Sequence, residues 1–283
     1  MCIRDSPLTA DPFLACAPEL TRWSIPSGDR FTLALTWSAL EPPQTDYNIR
    51  WRLLDSIAAV ADEETVALSP YPTAHWRDGD TFEVRYDLRA DPTLPAGVYT
   101  LTLNVLAPTD QPLWSEDEPV ASIEVLPRQR LFDLPSDISH PLDLTLGGMI
   151  HLRGVDLPAE EISAHPGDSL PLTLYWQADG PTDIDYTVFV HLVGPDGRPH
   201  GQVDHIPAAG AAPTTSWVAD QVIADHVSLP VAGDAPAGLY HVAIGMYDVI
   251  SGGRLPIVDA SGQPLPDNQA ILPVEITIIR GAQ

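Results

Sequence analysis

Asp183-Ile184-Asp185 is a D-x-D string, the arrangement with which many glycosyltransferases hold a metal-nucleotide complex. Here it falls in a loop between two expected strands, and Asp46 stands at the site matching Asp185, each just ahead of a tyrosine. An aspartate so placed bonds loop backbone in an Asx-type turn more often than it ligates Ca²⁺, and loop bonding is the role expected. His191 and His241 sit on the outward phase of two strands expected to be sheet neighbours, where imidazoles could pair as metal ligands. The matching positions earlier in the chain are Arg52 and Thr100, and no third ligand is spelled out, so solvent-facing histidines are expected. Trp76 and Trp217 each follow Pro-Thr by the same spacing, and with the neighbouring Tyr71 they could stack on a sugar ring. A large aromatic gains more from burial than from waiting in water, so the two indoles are expected to cap their own cores.

No G-x-S-x-G elbow, H-E-x-x-H, paired C-x-x-C or phosphate-cradling glycine loop occurs. The sequence therefore names no catalytic residue, no metal ligand and no cofactor. All 14 basic residues are arginine, which excludes Schiff-base lysine chemistry.

The elements that position these residues are stated twice. Gly28-Asp29, Leu33, Leu35, Trp37, Asp46 and Tyr47 return as Gly167-Asp168, Leu172, Leu174, Trp176, Asp185 and Tyr186, at an offset of 139. Pro72-Thr73 with Trp76, then Pro95-Ala96-Gly97-Val98-Tyr99, return as Pro213-Thr214 with Trp217 and Pro236-Ala237-Gly238-Leu239-Tyr240, at an offset of 141. A repeat of that length is a whole domain, not a solenoid unit. Within it, Leu33, Leu35 and Trp37 alternate with Thr32, Ala34 and Thr36, the period of a strand buried on one face. In the twin, Leu172, Leu174 and Trp176 face in while Thr173, Tyr175 and Gln177 face out. Further strands are expected over 47–54, 81–88, 99–105 and 120–126, and over 186–193, 222–229, 240–246 and 271–279. Gly194-Pro195-Asp196-Gly197 reverses the chain into a hairpin.

Tyr99 and Tyr240, each delivered to a strand by Pro-Ala-Gly, resemble the tyrosine corner of immunoglobulin-like and fibronectin-like sandwiches, whose hydroxyl bonds upstream backbone. With Trp37 and Trp176 they are expected to be structural. The fold class expected is all-β, two tandem immunoglobulin-like antiparallel β-sandwich domains. The first spans 7–127, with its N-terminus truncated and 7–26 supplying the last edge of an incomplete strand. A polar, proline-bearing linker covers 128–139, and the second domain, which Gly147-Gly148 opens, covers 140–283. Met-Cys-Ile-Arg-Asp-Ser at 1–6 back-translates as ATG TGT ATA AGA GAC AG, the end of a transposase-type sequencing adapter, and reads as a scar on a metagenomic fragment.

Net charge is −25, with 20 acids against 9 bases through Arg128 and 19 against 5 beyond it, so both halves are acidic. That field repels phosphate backbones and anionic lipid, and no nucleic-acid partner is expected. No apolar run is long enough to insert this segment into a bilayer, and two cysteines near one end, Cys2 and Cys16, cannot staple two domains.

The second half carries GGMIHLRGVDL, LTLYW, DYTVFVHL, GPDGR, PTTSW, PAGLYHVAIGMYD and GGRLP. It resembles the extracytoplasmic C-terminal sandwich of large bacterial membrane proteins of the glycosyltransferase family 39 type, from Chloroflexi-like lineages. The resemblance covers about residues 140–280, and the first half only through the shared positions. It implies an extracytoplasmic, non-catalytic module with a structural or surface-interaction role, joined covalently to an upstream membrane domain that holds the catalytic acids. A cell-surface glycan or protein is the partner class it implies, with a carbohydrate-binding accessory module as the alternative reading.

Overall fold

Alternation of apolar and polar residues, broken by proline, glycine and aspartate, dictates strands and turns throughout. The computed structural model describes residues 8–10, 13–20, 22–113, 117–159 and 162–279. The hexapeptide read as a scar, with Cys2, lies outside the described residues. The chain divides into two compact units, Met1–Arg128 and Gln129–Gln283.

The first unit contains β1 (Leu8–Ala10), β2 (Phe13–Leu20), β3 (Ser24–Pro26), β4 (Arg30–Ala39), β5 (Asn48–Leu54), β6 (Val60–Ala67), β7 (Thr81–Arg89), β8 (Gly97–Leu106) and β9 (Glu118–Leu126). Two sheets result, in the orders β1-β2-β4-β7 and β3-β9-β8-β5-β6. Pairing is antiparallel except for β3 with β9. Phe31, Leu33, Leu35 and Trp37 of β4 share one core with Ile49, Trp51 and Leu53 of β5 and with Leu101, Leu103 and Val105 of β8.

Residues 7–26 differ from the expected single edge. β2 runs the length of β4, and β3 crosses to the other sheet. The β2 ladder slips between Cys16 and Glu19, around Pro18, which has no N–H to give.

The second unit contains β10 (His140–Leu146), β11 (Ile150–Asp156), β12 (Ile162–Ala164), β13 (Ser169–Ala178), β14 (Thr187–Val193), β15 (Pro199–His205), β16 (Val222–Pro230), β17 (Gly238–Tyr247), β18 (Ile257–Val258) and β19 (Ala270–Ile278). Its sheets run β16-β13-β11-β10-β18 and β12-β19-β17-β14-β15, antiparallel except for β12 with β19. Leu172, Leu174 and Trp176 face Val188, Val190 and Leu192 and the inward side of β17 across one core. The fold is thus all-β, with sheets stacked in pairs.

Three local expectations change. Gly147-Gly148 does not open the unit; with φ of +58° and +77° it is the hairpin turn that joins β10 to β11, a conformation glycine adopts without penalty. Tyr175 does not face water. The β11–β13 register shifts between Leu152 and Gly154, so Tyr175 lies opposite Gly154 and its phenol donates to Asp156 Oδ2 at 2.7 Å. That hydrogen bond, with burial added, pushes the phenol up to about 12. The stretch 128–139 is bonded at several points. Arg128 pairs with Asp29, the Arg130 guanidinium donates to Ser216 O at 3.0 Å and to Gln221 Oε1, and Leu131 bridges to Val222.

Each unit encloses its own core, which predicts independent folding. A chain of residues 129–283 is expected to give a β-type circular dichroism spectrum and one cooperative melt. A helical spectrum, or no transition, would refute this.

Candidate functional site

Asp46 and Asp185 do bond backbone, yet not within their own loop. Asp46 Oδ1 accepts the Ala74 N–H at 3.0 Å, and Asp185 Oδ1 accepts the Thr215 hydroxyl at 2.6 Å and its N–H at 3.3 Å. In both units the target is a single 3-10 turn, Thr73–His75 or Thr214–Ser216. A short 3-10 turn leaves its first N–H groups without internal partners, and a carboxylate satisfies them.

The threonine that opens each turn returns the contact. Thr73 Oγ1 accepts the Tyr47 N–H and donates to Thr45 O, both at 3.0 Å. Thr214 Oγ1 accepts the Tyr186 N–H at 3.0 Å and donates to Ile184 O at 3.1 Å. Asp183, the other half of the D-x-D string, is exposed while Asp185 is engaged by Thr215. The two carboxylates do not act on one centre.

Directly after each turn comes the tryptophan. Trp76 is 2% exposed and Trp217 0%. Their indole N–H groups donate to Tyr71 O at 3.3 Å and Ala212 O at 2.8 Å, and Trp76 packs on Phe82 at a ring distance of 4.5 Å. Neither indole has a face to give a sugar, which corrects the stacking role weighed for them. Of the three aromatics in that reading only Tyr71 is exposed, at 48%, and its counterpart in the second unit is Ala212.

Tyr99 and Tyr240 form the corner. Their hydroxyls donate to Pro95 O at 2.9 Å and Pro236 O at 2.8 Å. Trp37 and Trp176 are fully buried but bond differently. Trp37 donates to Tyr86 Oη at 2.8 Å, and Tyr86 donates onward to Leu68 O. Trp176 donates to Asp225 Oδ2 at 3.3 Å.

Asp225 was missed in the sequence, where one aspartate within VIADHVSLP carries no sign of burial. It is 0% exposed and accepts His205 Nε2 at 2.9–3.0 Å and the Ala208 N–H at 2.9 Å. An Asp–His pair also orients catalytic imidazoles, but the far nitrogen, His205 Nδ1, is buried with no hydrogen-bond partner, so there is nothing for it to activate. The pair is structural. Removing the imidazole would leave the buried Asp225 carboxyl with only the Trp176 and Ala208 N–H groups.

The outer faces of β5–β8 and β14–β17 were also not legible. In the first unit Asp117 binds Arg50 at 3.0 Å, Arg52 at 2.8 Å and Asn104 at 2.9 Å, and Arg52 also binds Glu63 at 2.8 Å. Burial opposes the Asp117 charge, but these hydrogen bonds outweigh it and hold the carboxyl below its ordinary value. In the second unit Phe189 takes the place of Arg50. Arg254 stacks 4.4 Å above its ring, and His191 and Tyr247 flank it at 5.0 and 6.4 Å. Gly245 lies beneath, where a Cβ would come within 2.5 Å of the ring. His191 is thus half-buried, not solvent-facing, and burial lowers its pKa, with Arg254 adding to the effect and Asp204 opposing it. His241 pairs with Val193, so the two histidines are diagonal. Among the described residues no group of three or more His, Cys, Asp or Glu is placed to hold a metal ion.

The acid most displaced from ordinary behaviour is Asp62 on β6, pushed up to about 6 by burial against the opposing N–H of Asp91 at 2.8 Å. Its folded pKa exceeds its unfolded one, so folding takes up a proton between about pH 4 and 6, and stability gained below that window is lost above it.

Two outcomes are expected. Trp217→Ala should destabilise the second unit by about 3–5 kcal/mol in denaturant melts. An unchanged midpoint with lost retention on a polysaccharide column would restore the stacking role. Asp62→Asn should stabilise the first unit by about 1–2 kcal/mol at about pH 8, with the gain fading below about pH 4. A gain that does not vary with pH would refute the assignment. Compared with known proteins, the chain matches no family model and no curated sequence.

Proposed function

We propose that the chain is a non-catalytic tandem β-sandwich module on the extracytoplasmic side, serving a structural or surface-interaction role as the C-terminal part of a larger membrane-anchored protein of the glycosyltransferase type. One observation carries this reading: what the two units share is framework. Asp46 and Asp185, Thr73 and Thr214, Trp76 and Trp217, and Tyr99 and Tyr240 make the same backbone bonds in both. Outer-face residues differ outright, an Arg50–Asp117–Arg52 network in one unit and a Phe189–Arg254 stack in the other. A duplicated activity would have kept its surface residues in both copies. Duplication that keeps only the framework fits a spacer or a pair of separate interaction faces.

The immunoglobulin-like reading of each unit draws support from the corner tyrosines and from the strand orders β1-β2-β4-β7 and β3-β9-β8-β5-β6. The extracytoplasmic and membrane-linked parts of the proposal rest on the resemblance of residues 140–280. The carbohydrate-binding alternative loses its two indoles to the cores and keeps only Tyr71.

Protease treatment of intact source cells tests the reading. An antibody raised against residues 140–283 is expected to lose its epitope when whole cells are digested, and to detect a band longer than this chain before digestion. Protection in intact cells, or an epitope that partitions with cytosol, would overturn it.

A further inference from the structure

Among the described residues β7 ends its sheet with no strand beyond it, and nine residues of edge are a template for pairing unless something blocks it. The orientation of its backbone is fixed by β4. Ala39 N donates to Asp80 O at 2.9 Å and Ala90 N to Asp29 O at 3.2 Å, and the ladder between keeps one register from Arg30–Arg89 to Ser38–Thr81. Even-numbered β7 residues therefore exchange hydrogen bonds with β4 and bury Val84, Tyr86 and Leu88. Odd-numbered residues direct their N–H and C=O groups outward and carry Glu83, Arg85, Asp87 and Arg89 on the wet face.

That order of charges, acid, base, acid, base, complements itself when reversed. If two copies of β7 meet antiparallel with Tyr86 opposite Tyr86, then Glu83 faces Arg89 and Arg85 faces Asp87, twice each. Every pair is of opposite sign, and every pair falls on residues whose backbone groups point outward. Moving the centre one step along the same face, to Arg85 or to Asp87, sets like charges against each other. Unlike charges opposite one another favour pairing and like charges oppose it, so the register centred on Tyr86 is favoured over both of its neighbours.

Two other long edge strands contrast with this. β6 carries Asp62, Glu63 and Glu64, which set acid against acid in any self-pairing. β16, the counterpart of β7, has its first residue bridged by Leu131, with Val222 N donating to Leu131 O at 2.7 Å. Only β7 is both open and self-complementary among these three.

We propose that β7 is the surface through which the chain binds a second copy of itself, edge to edge about a two-fold axis at Tyr86, joining two sheets into one. The two-fold makes the contact isologous and closes it at two copies. Intrachain contacts of Glu83 with Arg85 and of Asp87 with Arg30, at 3.0 and 3.1 Å, are exposed and exchange readily for cross-strand ones. The net charge of −25 opposes approach at long range, and salt at about 0.15 M limits that repulsion to about 8 Å.

Sedimentation equilibrium of the full chain at that salt, raised to about 1 mM, should show a monomer–dimer equilibrium. Arg85→Glu and Asp87→Arg should each weaken the dimer about tenfold or more, since each turns two attractive pairs repulsive. The double variant Arg85→Glu/Asp87→Arg restores opposite signs at every pair and should bring the dimer back to within about threefold of the unaltered chain. Circular dichroism and melts of each variant separate lost pairing from lost folding. A chain that stays monomeric at the highest concentration, as when the edge serves a strand of some other protein, overturns the proposal. So does a dimer indifferent to the single substitutions, or one that the double variant fails to recover.

Discussion

The Trp76 and Trp217 indoles are buried, and each gives its N–H to a carbonyl of the loop that leads into the 3-10 turn. The position of that carbonyl depends on the turn, and the turn depends on Asp46 or Asp185 reaching it from the far side of the sandwich end. One carboxylate, one threonine hydroxyl and one indole thus clamp the loop before β5 or β14 to the segment entering β7 or β16. Each hydrogen bond contributes about 0.5–1.5 kcal/mol net, while losing those of the buried threonines and indoles would leave a buried polar group unpaired. The penalty for loss is what makes the arrangement specific. It ties together the two segments that cross between the sheets, one entering β5 or β14 and the other entering β7 or β16.

Around that clamp the two units have diverged as packing allows. The site over β5 and β8 holds Arg50 above Asn104, and its twin holds Phe189 above Gly245. Glycine is there because the ring lies flat on the sheet, and Arg254 covers the ring's other side. One face is a charged network and the other an aromatic stack with a cation above it. A sheet tolerates either, since the inward residues of the same strands are unaffected by what lies outside.

The repeat, the period-2 alternation and the Pro-Ala-Gly-Tyr entry made most of the architecture legible, because those signals are local and were stated twice. The clamp was legible in its parts only. Asp46, Thr73 and Trp76 could be picked out, but nothing in their spacing says that a carboxylate bonds a turn 28 residues on. Tyr175 keeps the outward phase the alternation gives it, and what the strand itself could not show is that Asp156 of β11 takes its phenol there and covers it. The short strands before β4 were obscured by proline, which weakens the pattern but is tolerated where the ladder slips.

The change in repeat offset from 139 to 141 has a place and a consequence. Register pairs Ile49 with Val66 and Val188 with His205, so the offset is still 139 at those positions. By Pro72 and Pro213 it is 141, which puts two extra residues between His205 and Pro213, where Ala208, Ala209 and Gly210 turn with positive φ. Across the seam, Leu35 pairs with Val84 and Leu174 with Asp225, so Val66 and Val84 in the first unit correspond to His205 and Asp225 in the second. Where the pair is histidine and aspartate, the imidazole ties β15 to β16, the added turn gives its Ala208 N–H to the same carboxyl group, and Gly201 lets the β15 backbone close on Pro230 O. Where the pair is two valines, the edges are tied only at the ends, by Asp91 N–H to Asp62 and Tyr86 to Leu68 O, and a groove of about 300 Å³ remains, with Val66 on one side and residues 84–88 on the other. Aspartate could enter the second core only with a histidine and an N–H to receive it, and two inserted residues supplied the N–H. The insertion thus closes one sandwich along its side, while the other keeps β7 open to whatever pairs with it.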